Sequence, residues 1–298
     1  MKQAKFLLSI LIVIPLVFFL YRFCHHQTDG FAVRKIRTSF LDHTIPHLSS
    51  SFSEQEKTEV KKILSQPLTY IGRGGQCYAF ATADDKYVVK LLKYNNNYPR
   101  IWFRLFPFPL KLELYRQEQI SKKQKKLEGE YRSYQIALKD LQQETGIFYV
   151  HLDKGSLPSD IQLEIFDKIN MHYVLSADAF QFYIQKKGTP FYPGFRKMIQ
   201  ESRFEEAKKA LDELSSYLIK RCQKKITDKD KGIWRNFAFH QEHPFQIDIG
   251  QFIYDPTLVS ENAYQQNLLL FTKDFRNWLE TLNPSLADYF TQKLTFSN

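Results

Sequence analysis

Leu68-Thr69-Tyr70-Ile71-Gly72-Arg73-Gly74-Gly75-Gln76-Cys77-Tyr78-Ala79-Phe80-Ala81-Thr82 runs on through Ala83 and the acidic turn Asp84-Asp85 into Lys86-Tyr87-Val88-Val89-Lys90-Leu91-Leu92. The stretch is rich in aromatic and β-branched residues and is broken once by glycines and once by two aspartates. That pattern predicts three strands joined by a glycine-rich tip and a tight turn. Glycines at such a tip let backbone N–H groups approach phosphate oxygens, and a lysine on the third strand neutralises their charge. An ordinary sheet hairpin with an exposed lysine is the alternative reading of these residues alone.

A second informative stretch lies far downstream. Thr227-Asp228-Lys229-Asp230-Lys231-Gly232-Ile233-Trp234-Arg235-Asn236-Phe237-Ala238-Phe239 is followed by a turn at Glu242-His243-Pro244 and then by Phe245-Gln246-Ile247-Asp248-Ile249-Gly250. In this order the two stretches resemble the protein-kinase-like superfamily. Gly72-x-Gly74-x-x-Cys77-x-Ala79 is similar to its glycine loop, with Cys and Ala in place of Gly and Val, and Val88-Val89-Lys90 stands where the family has its strand lysine. Asp248-Ile249-Gly250, 12 positions after Asn236, resembles the family's metal-binding Asp-Phe-Gly.

The resemblance implies ATP held by Gly72, Gly74, Gly75 and Lys90, and Mg²⁺ held by Asn236 and Asp248. It also implies a base at Asp230, with Lys231 beside it to stabilise charge on the transferred phosphoryl group. Magnesium takes few protein oxygens and leaves its other positions to phosphate and water, which suits an amide and a carboxylate. The chain departs from the pattern in three ways. No His-Arg precedes the aspartate, Lys231 occupies the position five before Asn236, and neither Ala-Pro-Glu nor a long activation segment lies between Gly250 and Asn298. Asp228, or no base at all, therefore stays open, and a small-molecule or lipid kinase or a pseudokinase is favoured over a protein kinase. The resemblance spans roughly residues 66–260.

Between the two stretches, Leu127, Tyr134, Leu138 and Leu141 recur at helical spacing and predict a helix from about Lys123 to Glu144. Glu130 on that face is the candidate partner of Lys90, with Glu128 as the alternative. Strands are expected at residues 147–152, 161–166, 172–175 and 180–185, with a hinge near Lys186–Gly188. Helices are expected at residues 204–221 and 262–282. Upstream, Ser53 and Glu56 form a capping-box pattern that opens a helix ending near Ser65.

The 298 residues carry a formal charge of +10 and are 43% hydrophobic and 15% aromatic, which excludes a disordered chain and points to anionic partners. Cys24, Cys77 and Cys222 have neither the number nor the spacing for a disulfide framework or a zinc site. Phe6–Tyr21, FLLSILIVIPLVFFLY, has no charge and is bounded by Lys5 and Arg22. Bulky residues follow it where a cleaved signal needs small ones, so an uncleaved membrane anchor is expected, with a cleaved signal as the alternative. Arg22, Arg34, Lys35 and Arg37 after the span lean towards a cytoplasmic body. Trp102 and its aromatic neighbours, followed by Lys122–Lys126, form a second candidate membrane contact. No nucleic-acid motif is present, and binding to nucleic acid is not expected.

These observations predict an α+β, two-lobed kinase-like fold with a reduced C-terminal lobe behind one transmembrane helix. The expected divisions are an anchor at 6–23, a tether with a short helix at 24–65, a nucleotide-binding lobe at 66–186 and a second lobe at 187–298. The expected function is an anchored, single-pass membrane protein that binds ATP and magnesium and transfers phosphate to an acceptor the sequence does not name. A pseudokinase serving as a scaffold at the membrane, and an anchored envelope protein of unrelated α+β fold, are the alternatives.

Overall fold

The computed structural model describes residues 2–37, 52–93, 110–155, 157, 158 and 160–295. The chain is mixed α and β and divides into two compact units, one of Met1–Asn96 with His151–Phe182 and one of Asn97–Val150 with Tyr183–Asn298.

In the first unit, helix α1 (Lys2–Gln27) and the single turn α2 (Val33–Ile36) precede α3 (Glu54–Leu64). The expected capping box is present on α3: Ser53 Oγ accepts from the Glu56 N–H at 3.3 Å, and the Ser53 N–H donates to Glu56 Oε2 at 2.7 Å. Val60, Ile63 and Leu64 bury one face of this helix. The glycine-bearing stretch folds as β1 (Leu68–Arg73), β2 (Cys77–Thr82) and β3 (Tyr87–Leu92), antiparallel throughout, with an irregularity in register between Tyr70 and Gly72. Farther along the chain, β5 (Gln162–Phe166) runs parallel to β1 and pairs antiparallel with β6 (His172–Ser176), so the order is β3-β2-β1-β5-β6. β4 (Ile147–His151) and β7 (Phe182–Lys186) are neighbours and lie where the chain passes from one unit to the other.

The second unit begins with the long helix α4 (Leu110–Asp140), which starts thirteen residues before the expected boundary, and the turn α5 (Gln142–Thr145). Charged pairs such as Arg116–Glu113 and Lys122–Glu118 extend the helix through a region with no apolar periodicity to read. This helix belongs with the second unit, whereas the expected lobes place it in the first. Leu127, Tyr131 and Tyr134 are buried, and Ser133 accepts from the Phe252 N–H at 2.6 Å and donates to the Ile249 carbonyl.

Next come β8 (Thr189–Pro190), α6 (Phe191–Gln200) and α7 (Phe204–Gln223), the last burying Ala207, Leu211, Leu214 and Leu218 as its spacing predicts. β9 (Ile226–Asp228), α8 (Ile233–Asn236), the hairpin β10 (Phe237–His240) and β11 (His243–Gln246), and β12 (Phe252–Tyr254) carry the second motif. Gln241 and Glu242, both at positive φ, make a two-residue turn whose twist matches the flanking strands. The expected helix 262–282 is two helices, α9 (Glu261–Phe271) and α10 (Lys273–Leu282), separated at Thr272, and a further helix α11 (Pro284–Leu294) follows an Asn283 cap. Phe191, Phe195, Phe239, Phe275 and Phe290 form the aromatic core of this unit.

Among the described residues no helix is long and apolar enough to cross a membrane, and the side chains before Val13 lie outside them. Of the expected tether, residues 38–51 lie outside the described set, while Phe31 and Ile36 are buried in the first unit. Trp102 and the aromatics beside it also lie outside the described residues.

Candidate functional site

The second motif folds around one buried amide. Gln246, at the end of β11, is fully buried, and its Oε1 accepts from Tyr217 Oη at 2.6 Å and from Arg221 Nη1 at 3.2 Å. Its Nε2 donates to Asp228 Oδ2 and to the Asp248 carbonyl, the latter at 3.0 Å. Asp228 ends β9 opposite Phe252 of β12, and its Oδ1 accepts from the Asp230 N–H at 2.9 Å. The loop bearing Asp230 and the turn bearing Asp248 are thus fixed to the same amide.

Asn236 ties the two segments together a second time. Its carbonyl accepts from Ile247 N–H at 2.7 Å and Asp248 N–H at 3.3 Å, and its Nδ2 donates to the Asp230 carbonyl at 3.2 Å. The side chain is 0% exposed, yet Oδ1 has no hydrogen-bond partner. A buried carbonyl oxygen without a donor is costly, so this atom is open to a further partner, a water or a cation. Asp248, whose N–H donates to the Asn236 carbonyl and whose Oδ1 accepts from the Gly250 N–H at 3.3 Å, adds a carboxylate to the same hydrogen-bonded frame. Two hard oxygens fit Mg²⁺. Among the described residues no group of three or more His, Cys, Asp or Glu side chains is arranged to hold a metal, so a magnesium ion here would draw its remaining ligands from phosphate and water.

The two candidate bases differ in access. Asp230 is partly exposed and held on both oxygens by Arg235 Nη2, at 2.8 and 2.9 Å, while the Gly232 N–H donates to Oδ1 at 3.0 Å. Burial works to raise its pKa, but Arg235 and Gly232 outweigh burial and hold the carboxyl below its ordinary range. Asp228 is only 4% exposed. Burial pushes it up to about 6, Arg221 opposes that, and the charge of Asp248 adds to the rise.

Asp228 therefore gives a pH-dependent stability with a defined sign. Its ordinary value is 3.8 and its folded value about 6. Between these the folded chain binds more protons than the unfolded one, so stability falls as pH rises from about 4 to about 6. The loss is about 1.4 kcal/mol for each pH unit separating the two values, on the order of 3 kcal/mol in all. Urea titrations across that range, followed by tryptophan fluorescence, should show the decline in the parent and lack it in Asp228→Asn. An equal decline in both would assign it to another group.

Sequence reasoning does not single out Gln246, Arg221, Arg235 or Ser133. Arg221 is fully buried on α7 with its guanidinium 4.3 Å from the Phe271 ring, where the helical pattern calls only for an apolar residue. Ser133 lies one helical turn after Glu130 on α4, so the two share a face. Glu130 is buried, 3.8 Å from Lys126 Nζ, and lines a small cavity with Lys229 and Gly250. Ser133→Ala removes both ties to the Asp248–Phe252 turn and should cost about 2 kcal/mol in urea unfolding. A loss below about 0.5 kcal/mol, the floor for an intramolecular hydrogen bond, would mean that water replaces the hydroxyl.

The first unit holds the other candidates. An added Cβ at Gly72 or Gly75 would meet nothing within 4 Å, and one at Gly74 only Cys77 Sγ at 3.8 Å, so the tip is open on that side. Lys93 Nζ donates to the Gly74 carbonyl and sits 4.4 Å from the Tyr78 ring centroid, bracing the tip from the end of β3. Lys90 is half-buried and pairs with Ala79 across β2. Glu130, Asp230, Asn236 and Asp248 all belong to the second unit.

No family model matches the chain, and no curated protein matches it. Among solved structures it is similar to the bifunctional kinase-methyltransferase WbdD, at 13% identity and a TM-score of 0.36, over 75% of this chain and 43% of that one. The chain thus spans less than half the length of that protein.

Proposed function

We propose that this chain is a membrane-anchored, kinase-like protein that binds ATP with magnesium and transfers a phosphoryl group to a non-protein acceptor. The unpartnered, fully buried Asn236 Oδ1, in a residue whose backbone carbonyl accepts from the Asp248 N–H, supports this reading, because a cation complements an orphaned carbonyl oxygen in a frame that also carries a carboxylate. Asn236 and Asp248 would hold the ion, which neutralises charge on the phosphates when bound. Gly72, Gly74, Gly75 and Lys90 supply phosphate contacts, and Glu130 is the proposed partner of Lys90. Asp230, the more accessible carboxylate, orients the acceptor hydroxyl. Lys231, beside Asp230 in sequence, and Arg235, bonded to its carboxylate, would meet charge on the transferred group. Asp228 acts through its bonds to the Asp230 N–H and Gln246, as a positioning residue. Phe6–Tyr21 anchors the chain with its body in the cytoplasm, following the basic residues Arg22, Arg34, Lys35 and Arg37.

Thermal unfolding with ATP, with and without Mg²⁺, tests nucleotide binding. A ligand at 100 times its dissociation constant adds about 2.7 kcal/mol to the unit that binds it. The shift should require Mg²⁺ and shrink in Lys90→Ala. Absence of any shift at millimolar ATP removes the reading. Binding without turnover, unchanged in Asp230→Asn, turns it into a nucleotide-binding scaffold.

A further inference from the structure

The chain leaves α1 through a closed turn. Thr28 N–H donates to the Cys24 carbonyl at 3.0 Å and Gly30 N–H to the His25 carbonyl at 2.8 Å, with Asp29 and Gly30 both at positive φ. A side chain at position 30 would strain the backbone at φ +69° and displace the His25 ring, which lies 2.5 Å from where its Cβ would sit. Asp29 is then held three ways: Oδ1 by Lys168 at 3.0 Å, Oδ2 by Tyr70 Oη at 3.0 Å, and its carbonyl by Arg73 at 2.7 Å. The Gly30 carbonyl accepts from Tyr78 Oη at 2.7 Å, and Phe31 packs edge-on against Tyr78, Phe80 and Tyr173. Helix α1 is thereby fastened to β1, β2 and the β5–β6 turn.

Basic residues gather at this junction. Arg34, Arg73 and Lys168 are exposed, and Lys35 Nζ donates to the Gly30 carbonyl. Lys35 on the Gly30 carbonyl, Arg73 on the Asp29 carbonyl and Lys168 on the Asp29 carboxylate bring three cations to one two-residue turn. The β5–β6 turn that carries Lys168 also exposes two large apolar side chains, Ile169 at 48% and Met171 at 53%. Dimensions agree with a lipid neighbour. From Tyr21, the last residue of the apolar stretch, α1 continues six residues to Gln27, about 9 Å at ~1.5 Å per residue. A headgroup layer is about 5–8 Å thick, so the Asp29 turn and its bonded partners come level with its outer edge.

We propose that Arg34, Lys35, Arg73 and Lys168 together with Ile169 and Met171 form a docking face for the headgroup layer of an anionic bilayer. The cations meet lipid phosphates and carboxylates while the apolar tip enters among the headgroups. The proposal rests on the anchor reading of Phe6–Tyr21 and goes beyond it: the first unit is held face-on to the membrane by its own surface.

The full chain, with Cys24, Cys77 and Cys222 replaced by serine, is reconstituted in vesicles of phosphatidylcholine alone or of two parts phosphatidylcholine to one part phosphatidylserine. An environment-sensitive dye is placed by Ile169→Cys, Met171→Cys, Val17→Cys or Asp85→Cys, the last at the far end of β2 from Arg73. Headgroup-labelled nitroxide lipid should quench positions 169 and 171 at least twofold more than position 85, more strongly with phosphatidylserine, and Arg34→Glu should reduce that gain. Quenching at 169 and 171 equal to that at 85, with position 17 quenched by acyl-chain nitroxide, overturns the docking face and leaves the anchor. No quenching at position 17 overturns both. Disulfide-linked dimers of Met171→Cys would assign the face to a second copy and also overturn the proposal.

Discussion

Replacing Gln246 by leucine is expected to destabilise the second unit by about 5 kcal/mol, because several buried polar groups lose their partner in one step. The volume is nearly kept, so little of this is cavity cost. What is lost is the partner of four groups at once: Tyr217 Oη, Arg221 Nη1, the Asp228 carboxylate and the Asp248 carbonyl. Each buried polar group left unpaired costs about 1–3 kcal/mol, and more if charged. Arg221 is the severest case, because its Nε and Nη2 already lack partners and the change strips its remaining hydrogen bond. Urea unfolding of Gln246→Leu, Gln246→Glu and Tyr217→Phe measures the parts. Tyr217→Phe removes one bond and should cost about 1.5 kcal/mol. Gln246→Glu keeps both bonds from Tyr217 and Arg221 but sets a second carboxylate against Asp228, so it should be destabilising above pH 6 and recover below it. A loss under about 2 kcal/mol in Gln246→Leu, no more than one unpaired group costs, would mean that the network does not hold the unit together.

That network marks where local sequence patterns stop. The three strands of residues 68–92 are legible because turn residues and β-branched runs alternate within a few positions, and the structure places β1, β2 and β3 there. The cap of α3 is legible because Ser53 and Glu56 act on each other locally. Helix α7 is legible because its apolar spacing is regular, yet the same pattern hides Arg221, which is polar and buried on that face. A residue's burial is set by tertiary partners, and Gln246 lies 25 positions from Arg221 and 18 from Asp228. No local period encodes such a meeting. The start of α4 escapes for the opposite reason, since its first turns are stabilised by ion pairs within the helix without an apolar stripe. Likewise α11 follows its Asn283 cap and Pro284, a start signal that the expectation of a single long helix to 282 passes over. Motif order picks out Asn236 and Asp248, and the structure joins their backbones by a hydrogen bond. That Asn236 Oδ1 is orphaned is visible only in three dimensions.

Asp248→Ala is expected to abolish the Mg²⁺-dependent thermal shift with ATP and to lower any turnover on the order of 10³-fold, about 4 kcal/mol in the barrier. The change should leave the fold intact, because Gln246 and Asn236 grip residue 248 through its backbone carbonyl and N–H. Without ligand the variant should be as stable as the parent or slightly more so. The Asp248 charge helps raise the pKa of Asp228, so removing it lets Asp228 ionise at lower pH and flattens the decline between about pH 4 and 6. These two readouts separate causes. A variant that loses the nucleotide shift and also unfolds early has a damaged fold and says nothing for the metal. One that keeps its stability, loses the shift and shows the flatter pH dependence has lost a carboxylate from a metal site beside Asp228. Retention of the full Mg²⁺-dependent shift would move the ion away from Asp248 and take with it the role proposed for Asn236, since the orphaned amide oxygen alone is too weak a ligand set to hold a magnesium nucleotide.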